Sequence, residues 1–252
     1  MIAVKHIIAL GAATLFAFTA WSGNAKAANG ACPGELPERT LSLSQANITR
    51  FGTLQKLPPL PLEKGEYVLS FDDGPRKTTT PKILDELRAA CLHATFFMVG
   101  REATKFPFVA RAVAEAGHSI GSHSFSHKRL KDIPHEEALL EMKLGQAAVQ
   151  WAVFRTRSTP VRLFRFPENA ATPDLMEAAA RFDMIVASYD VSPEDWRGDA
   201  PQNSLRRLRQ RLNTVDRGVI VMHDVKDNTV LLLPMVLDEL KARGAKIVHL
   251  VE

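Results

Sequence analysis

Apolar and polar positions alternate along this chain in short blocks. Runs that read as strands occur near 67–71 (YVLSF), 94–98 (ATFFM), 118–121 (HSIG), 161–165 (VRLFR), 184–188 (MIVAS), 218–222 (GVIVM) and 246–250 (KIVHL). Helical periodicity fills the gaps between them. Thr80-Pro81 and Thr172-Pro173 each have the form of an N-cap followed by proline at the first helical position. The segment 135–152 places Leu140, Leu144, Ala148 and Trp151 on one face, which predicts an amphipathic helix packed through that stripe. Strand and helix alternating about seven times predicts a parallel sheet with right-handed crossovers, closed into a barrel or left open. In either form ligands bind at the carboxyl ends of the strands.

The ends of the chain refine this. Lys5 precedes an apolar run from Ile7 to Trp21, and Ala25-Lys26-Ala27 supplies small residues at cleavage positions. Residues 1–27 therefore read as a secretory signal peptide cut before Ala28. The run is too short for a stable membrane span. Residues 28–62 hold no long periodic segment and end in LPPLPLEKGE, an N-terminal arm and linker ahead of a catalytic domain at 63–252. An exported chain is expected in the periplasm or outside the cell, where Cys32 and Cys91 would oxidise. One bridge between them, closing about sixty residues, would contribute roughly 4 kcal/mol.

Of 252 residues, 46% are apolar and 24% charged, an ordinary globular balance. The formal charge of +4 falls to +2 once Lys5 and Lys26 leave with the signal peptide. That is too little to argue for nucleic acid. RRLRQR at 206–211 shares its helix with Leu205, Leu208 and Leu212, so its basic face reads as solvated. Nothing in the pattern speaks to oligomeric state.

The chemistry collects where the strands end. Asp72 and Asp73 follow the first run, and two adjacent carboxylates repel by roughly 1–4 kcal/mol unless a cation stands beside them. HSFSH follows the third run with His123 and His127 at i, i+4, a spacing at which one helical turn sets two imidazoles side by side. Arg165 closes the fourth in FRFPEN. YDVSPEDW after the fifth offers Asp190, Asp195 and Trp196, and VMHD ends the sixth with His223 and Asp224. Each signal is weak by itself; their convergence on one face is what counts. Asp73, His123 and His127 make a three-ligand set of the kind that leaves catalytic zinc an open position. Asp72 is then free to act as base, and His223 to protonate a leaving group. His93, His118, His135 and His249 lack such company and read as structural.

FDDGP, HSFSH, FRFP, DW and VMH, in this order over about residues 65–252, resemble the polysaccharide deacetylases of the NodB-homology type, carbohydrate esterase family 4. The resemblance implies a distorted (β/α)7 barrel. It implies a zinc- or cobalt-dependent hydrolase that removes N-acetyl groups from N-acetylhexosamine glycans such as chitin oligosaccharides or peptidoglycan. A few such enzymes act on acetylated xylan instead. By motif, Asp72 would be the base, His223 the acid, and Asp73, His123 and His127 the metal ligands. Arg165 would orient Asp72, Asp195 would hold His223, and Ser124 would support the ligand loop. Trp196 and Val221 would wall the slot for the acetyl methyl group. Three positions depart from the pattern. Glu168 stands where an aromatic residue is usual, although its backbone N–H would still serve the oxyanion. Ser192 replaces an aspartate, and Val221 a leucine. An O-acetyl esterase, a non-catalytic glycan-binding relative and a basic protein binding anionic polymer are the competing readings.

Overall fold

The computed structural model describes residues 36–156 and 158–252. The expected signal peptide, its cleavage point and Cys32 lie outside the described residues. Cys91 is not a free thiol, so the expected bridge stays an expectation on its partner's side.

Nine parallel strands form one sheet among the described residues. Seven lie where the apolar runs predict them: β3 (Glu66–Asp72), β4 (Thr95–Met98), β5 (Ser119–Ser122), β6 (Leu163–Phe164), β7 (Ile185–Ala187), β8 (Gly218–His223) and β9 (Lys246–Val251). The central strand β3 is buried along its whole length and pairs with β4, β8 and β9. From β4 the order continues through β5 and β6 to β7. The ladder does not close by strand pairing. Past β7 the chain meets β8 through a single bridge, Val191 to Ile220.

The other two strands come from the segment expected to be an irregular arm. β1 (Glu38–Ser42) pairs with β9, and β2 (Arg50–Phe51) pairs with β7, at opposite ends of the strand order. Both are too short or too mixed for periodicity to reveal. Arg39 donates to both carboxylate oxygens of buried Glu66, at 2.7 and 2.6 Å, which locks β1 to the start of β3.

Among the described residues seven helices cover the sheet: α1 (Thr80–Ala89), α2 (Gly100–Lys105), α3 (Pro107–Glu115), α4 (His135–Phe154), α5 (Pro173–Arg181), α6 (Pro201–Leu212) and α7 (Asp227–Ala242). Thr172 caps α5 as its motif predicts, accepting the Leu175 N–H at 3.3 Å. Thr80 does not cap α1. It sits inside the first turn, because its hydroxyl is taken by the Arg76 N–H and by Asp224. In α6, Leu205, Leu208 and Leu212 are buried as expected.

The long helix α4 is turned away from its predicted face. Leu140 and Trp151 are each 54% exposed and Leu144 is exposed as well, while Ala138, Glu141, Met142, Gly145, Val149 and Ala152 face inward. Close approach at Gly145 explains the rotation: a Cβ there would lie 2.3 Å from the Ser124 carbonyl carbon. The helix presents its small and acidic residues to the loop after β5, and that contact outweighs the burial of two leucines.

Candidate active site

The strands deliver their polar residues to one end of the sheet. Asp72 is the last residue of β3, His123 follows β5, Arg165 follows β6, and His223 ends β8. Asp72, His123 and His223 line a cavity of about 480 Å³ together with Asp73, His127, Glu168, Trp196 and Val221, and with Phe166, Asn169, Tyr189 and Ser192; Arg165 lies behind it, against Asp72.

Asp72 is 4% exposed and Arg165 1%. Arg165 Nη1 donates to Asp72 Oδ1 at 2.6 Å and to Ser70 Oγ at 3.0 Å, while Nε and Nη2 donate to the carbonyls of Ala187 and Ser188. Its guanidinium lies 4.0 Å over the Phe97 ring. No Arg165 nitrogen is left to roam, and one carboxylate oxygen of Asp72 remains open toward the cavity. Breaking such a buried pair from one side costs about 3–5 kcal/mol.

His123 and His127 do not sit on a helix, as the i, i+4 spacing suggested. They flank a loop in which Ser124 and His127 both take positive φ, 62° each. Ser124 Oγ accepts the His127 N–H at 3.0 Å, the support expected of it. From α4, the buried Glu141 accepts the N–H groups of Phe125 and Ser126 and the Ser126 hydroxyl. Asp73 is also left-handed, at φ 76°. Such conformations cost of order 1–3 kcal/mol and persist where the surroundings over-determine them.

The donor set fits a divalent cation. One ligand atom each from Asp73, His123 and His127 lie within 4.8 Å of one another. His123 Nδ1 is 2.8 Å from the Arg165 carbonyl, which can only accept, so Nδ1 carries the proton. Nε2 is then a bare acceptor, 3.6 Å from Asp73 Oδ1 and 3.9 Å from Asp72 Oδ2. Burial pushes the His123 imidazole toward its neutral form. Asp73 Oδ1 is itself buried and lies 3.1 Å from His127 Nε2, without hydrogen-bond geometry to any described group. Acceptors facing acceptors in a buried site are costly; a cation with bonds of about 2 Å would satisfy them together. Burial alone would raise the Asp73 carboxyl, but the imidazoles of His127, His123 and His223 outweigh it and hold the group far below the usual carboxylate range. The same contact with Asp73 raises His127.

Across the site, His223 Nδ1 donates to Asp195 Oδ1 at 2.8 Å, and Asp195 Oδ2 accepts the His223 N–H at 2.7 Å and the Thr229 hydroxyl at 2.5 Å. Burial works against a charged His223, but Asp195 prevails and the imidazole is raised to about 9. Nε2 is left as the nitrogen that exchanges its proton. Asp190 takes no part: its carboxylate is spent on Thr53 and on the Val219 N–H. Asp224 is fully buried beneath the Asp73–Gly74 turn, tied to Thr80, and burial raises its carboxyl to about 7. Glu168 carries φ 54° and an ion pair to Arg129 at 3.3 Å.

The polysaccharide deacetylase profile matches residues 60–187. The chain belongs to the polysaccharide deacetylase family. It is 28% identical over 194 residues to a peptidoglycan-N-acetylglucosamine deacetylase of Bacillus cereus, a match covering 75% of this chain and 68% of that one. It is 30% identical over 156 residues to a chitooligosaccharide deacetylase of Azorhizobium caulinodans, covering 62% and 72%. In structure it resembles a peptidoglycan deacetylase of Bdellovibrio bacteriovorus, with a TM-score of 0.74, 27% identity and coverage of 86% and 59%. It also has the fold of a family 4 pseudoenzyme from Bacillus anthracis, at a TM-score of 0.67, 22% identity and coverage of 74% and 64%. Family members thus share the architecture with and without activity. Asn169 and Tyr189 were not picked out from the sequence, although both directly adjoin residues that were: Asn169 ends FRFPEN, and Tyr189 immediately precedes Asp190 after β7.

Proposed function

We propose that the chain is an exported, zinc-dependent deacetylase acting on N-acetylhexosamine residues of a glycan. The observation that carries this reading is the bare His123 Nε2 facing Asp73 Oδ1, acceptor against acceptor, with His127 against the same oxygen, Asp72 on one side and His223 within the same cavity. Asp73, His123 and His127 would hold the cation, which supplies Lewis-acid polarisation of the acyl group and neutralises the two aspartates.

The remaining steps belong to the chain itself. Asp72, fixed by Arg165, accepts a proton from the attacking water. The Glu168 N–H donates to the oxygen on which negative charge develops. The carbon–nitrogen bond then breaks, and His223 Nε2 gives its proton to the departing amine while Asp195 steadies the imidazole. Val221 and Trp196 bound the acetyl slot. A module that only binds glycan has no need of a base and an acid in one cavity, and this weighs against the non-catalytic alternative.

The test is parallel incubation of the zinc-loaded protein with chito-oligosaccharides, peptidoglycan and acetylated xylan. Acetate should appear with an equal amount of new free amine, stop with a chelator and return with zinc. Acetate without amine would make the protein an O-acetyl esterase. Turnover indifferent to chelation would end the metal mechanism.

A further inference from the structure

The family match begins at residue 60, yet the chain before it is fastened to the pocket wall. Gly52, at φ 103°, lies flat against the end of β7, where a Cβ would come 2.5 Å from the Ser188 carbonyl carbon. Thr53 donates its N–H and hydroxyl to Asp190 Oδ1 at 2.8 and 2.6 Å, and the Leu54 N–H donates to the Tyr189 carbonyl at 3.1 Å. Lys56 closes the turn with an N–H to the Thr53 carbonyl. Three hydrogen bonds thus bind residues 53–54 to 189–190, and one side chain reaches further. Gln55 Nε2 donates to the Asn169 carbonyl at 2.6 Å, while Gln55 Oε1 is buried with no partner among the described residues.

Asn169 stands in a demanding place. It and Glu168 take positive φ consecutively, 51° and 54°. Asn169 lines the cavity, and its Oδ1 accepts the Ser188 hydroxyl at 3.1 Å. Other hydrogen bonds within this turn are local: Asn169 N–H to the Phe166 carbonyl, Ala170 N–H to that of Pro167, and Ala171 N–H to that of Asn169 itself. Bonds inside a turn do not set its position relative to the sheet; bonds from outside do, and here Ser188 holds the Asn169 side chain and Arg129 the Glu168 carboxylate, while Gln55 bonds the turn's backbone.

We infer that Gln55 is a positioning residue of the acyl site, holding the 168–169 turn so that the Glu168 N–H and the Asn169 side chain meet the bound acetyl group. This rests on the deacetylase reading above and deepens it. It assigns to a segment ahead of the matched region the task of setting the oxyanion donor. Donors in such a site act through placement, and a shift of about 1 Å can cost 10²-fold in rate.

The experiment compares Gln55→Ala, Gln55→Glu and Thr53→Ala in the zinc-loaded full chain. Gln55→Glu keeps the shape but loses the donor and sets a carboxylate oxygen against a carbonyl. Thr53→Ala removes a neighbouring fastening that does not touch the turn. Both Gln55 variants should lower kcat about 10-fold on a chito-oligosaccharide, with KM within about twofold and zinc per chain unchanged. Thr53→Ala should lower the melting temperature yet leave kcat within about twofold. Wild-type kcat in the Gln55 variants overturns the inference, as does an equal fall in Thr53→Ala. A wild-type protein that releases no acetate from any acetylated glycan overturns the deacetylase reading and this inference with it; an active wild type beside unaffected Gln55 variants overturns the inference alone.

Discussion

Six of the chain's eight histidines fall into two groups, and the groups are built on opposite logic. His123, His127 and His223 stand at the carboxyl ends of the strands among Asp72, Asp73 and Asp195. His93, His118 and His249 pack on one another elsewhere on the sheet, with ring centroids 4.8 Å apart for His93 and His249 and 5.7 Å for His93 and His118. In the second group the polar atoms find ordinary partners. His118 Nδ1 accepts the Ala94 N–H, His93 Nδ1 lies 2.7 Å from Glu38, and His249 Nε2 lies 2.9 Å from Ser119 Oγ. In the first group His123 Nε2 and Asp73 Oδ1 face each other with nothing between them to share. Clustering alone therefore does not mark a reactive centre. What separates the two groups is whether the acceptors are satisfied from within the chain.

The sharpest way to break the comparison is to remove one imidazole from each group. His127→Ala should lose zinc on dialysis and deacetylate at background rate, while His93→Ala should keep one zinc per chain and its turnover. Metal retained by His127→Ala would strike that residue from the ligand set. Metal lost by His93→Ala would erase the distinction between the groups.

Next in size is Asp72→Asn. The two aspartates have different surroundings: Asp72 is bound to Arg165, and Asp73 faces the imidazoles. The amide still occupies the place beside Arg165 but accepts no proton, so kcat should fall by about 10²–10⁴ with zinc content unchanged. If metal were lost as well, the assignments of the two carboxylates would be exchanged.

Asp195→Asn should have a smaller effect, read through pH. His223 must hold a proton to act as acid, so turnover persists below its pKa and fails as pH rises through it. Asp195 is what keeps that value raised against burial. Removing its charge lowers the pKa, and the alkaline limb of kcat should move to lower pH, with a loss of about 10–100-fold at the optimum. An unmoved alkaline limb would assign the proton to another group.

Most of this arrangement was legible in the sequence because each site residue follows an apolar run, and a parallel sheet gathers the ends of its strands. The seven main strands and the polar residues at their ends follow from that pattern, while Ser124, Glu168 and Val221 enter only through the family resemblance. Three features were not legible. The loop from His123 to His127 has the spacing of a helical turn but is irregular, with Ser124 and His127 at positive φ, held by the Ser124 hydroxyl and by Glu141 some fifteen residues further on. The face of α4 was misjudged because hydrophobicity does not register a close backbone approach such as that at Gly145. β1 and β2 went unseen because five and two residues carry too little period, and their partners, β9 and β7, are far along the chain.

The smallest effect tests the satisfied group. His118 is buried, and burial, followed by the facing His93 and His249, pushes its imidazole down to about 3; Glu38 is the carboxylate beside His93. The folded protein therefore keeps His118 neutral while the unfolded chain takes up a proton near pH 6.5. Stability from this group is full above that value and drains away as pH falls toward about 3, since the unfolded state then binds more protons. Between pH 7 and pH 5 the loss should be about 2 kcal/mol. His118→Asn retains an oxygen to accept the Ala94 N–H and has nothing to titrate. Urea denaturation at the two pH values should show that the variant loses about 2 kcal/mol less than the wild type over this interval. If both lose the same amount, the acid sensitivity lies with other groups and His118 is not held neutral by its surroundings.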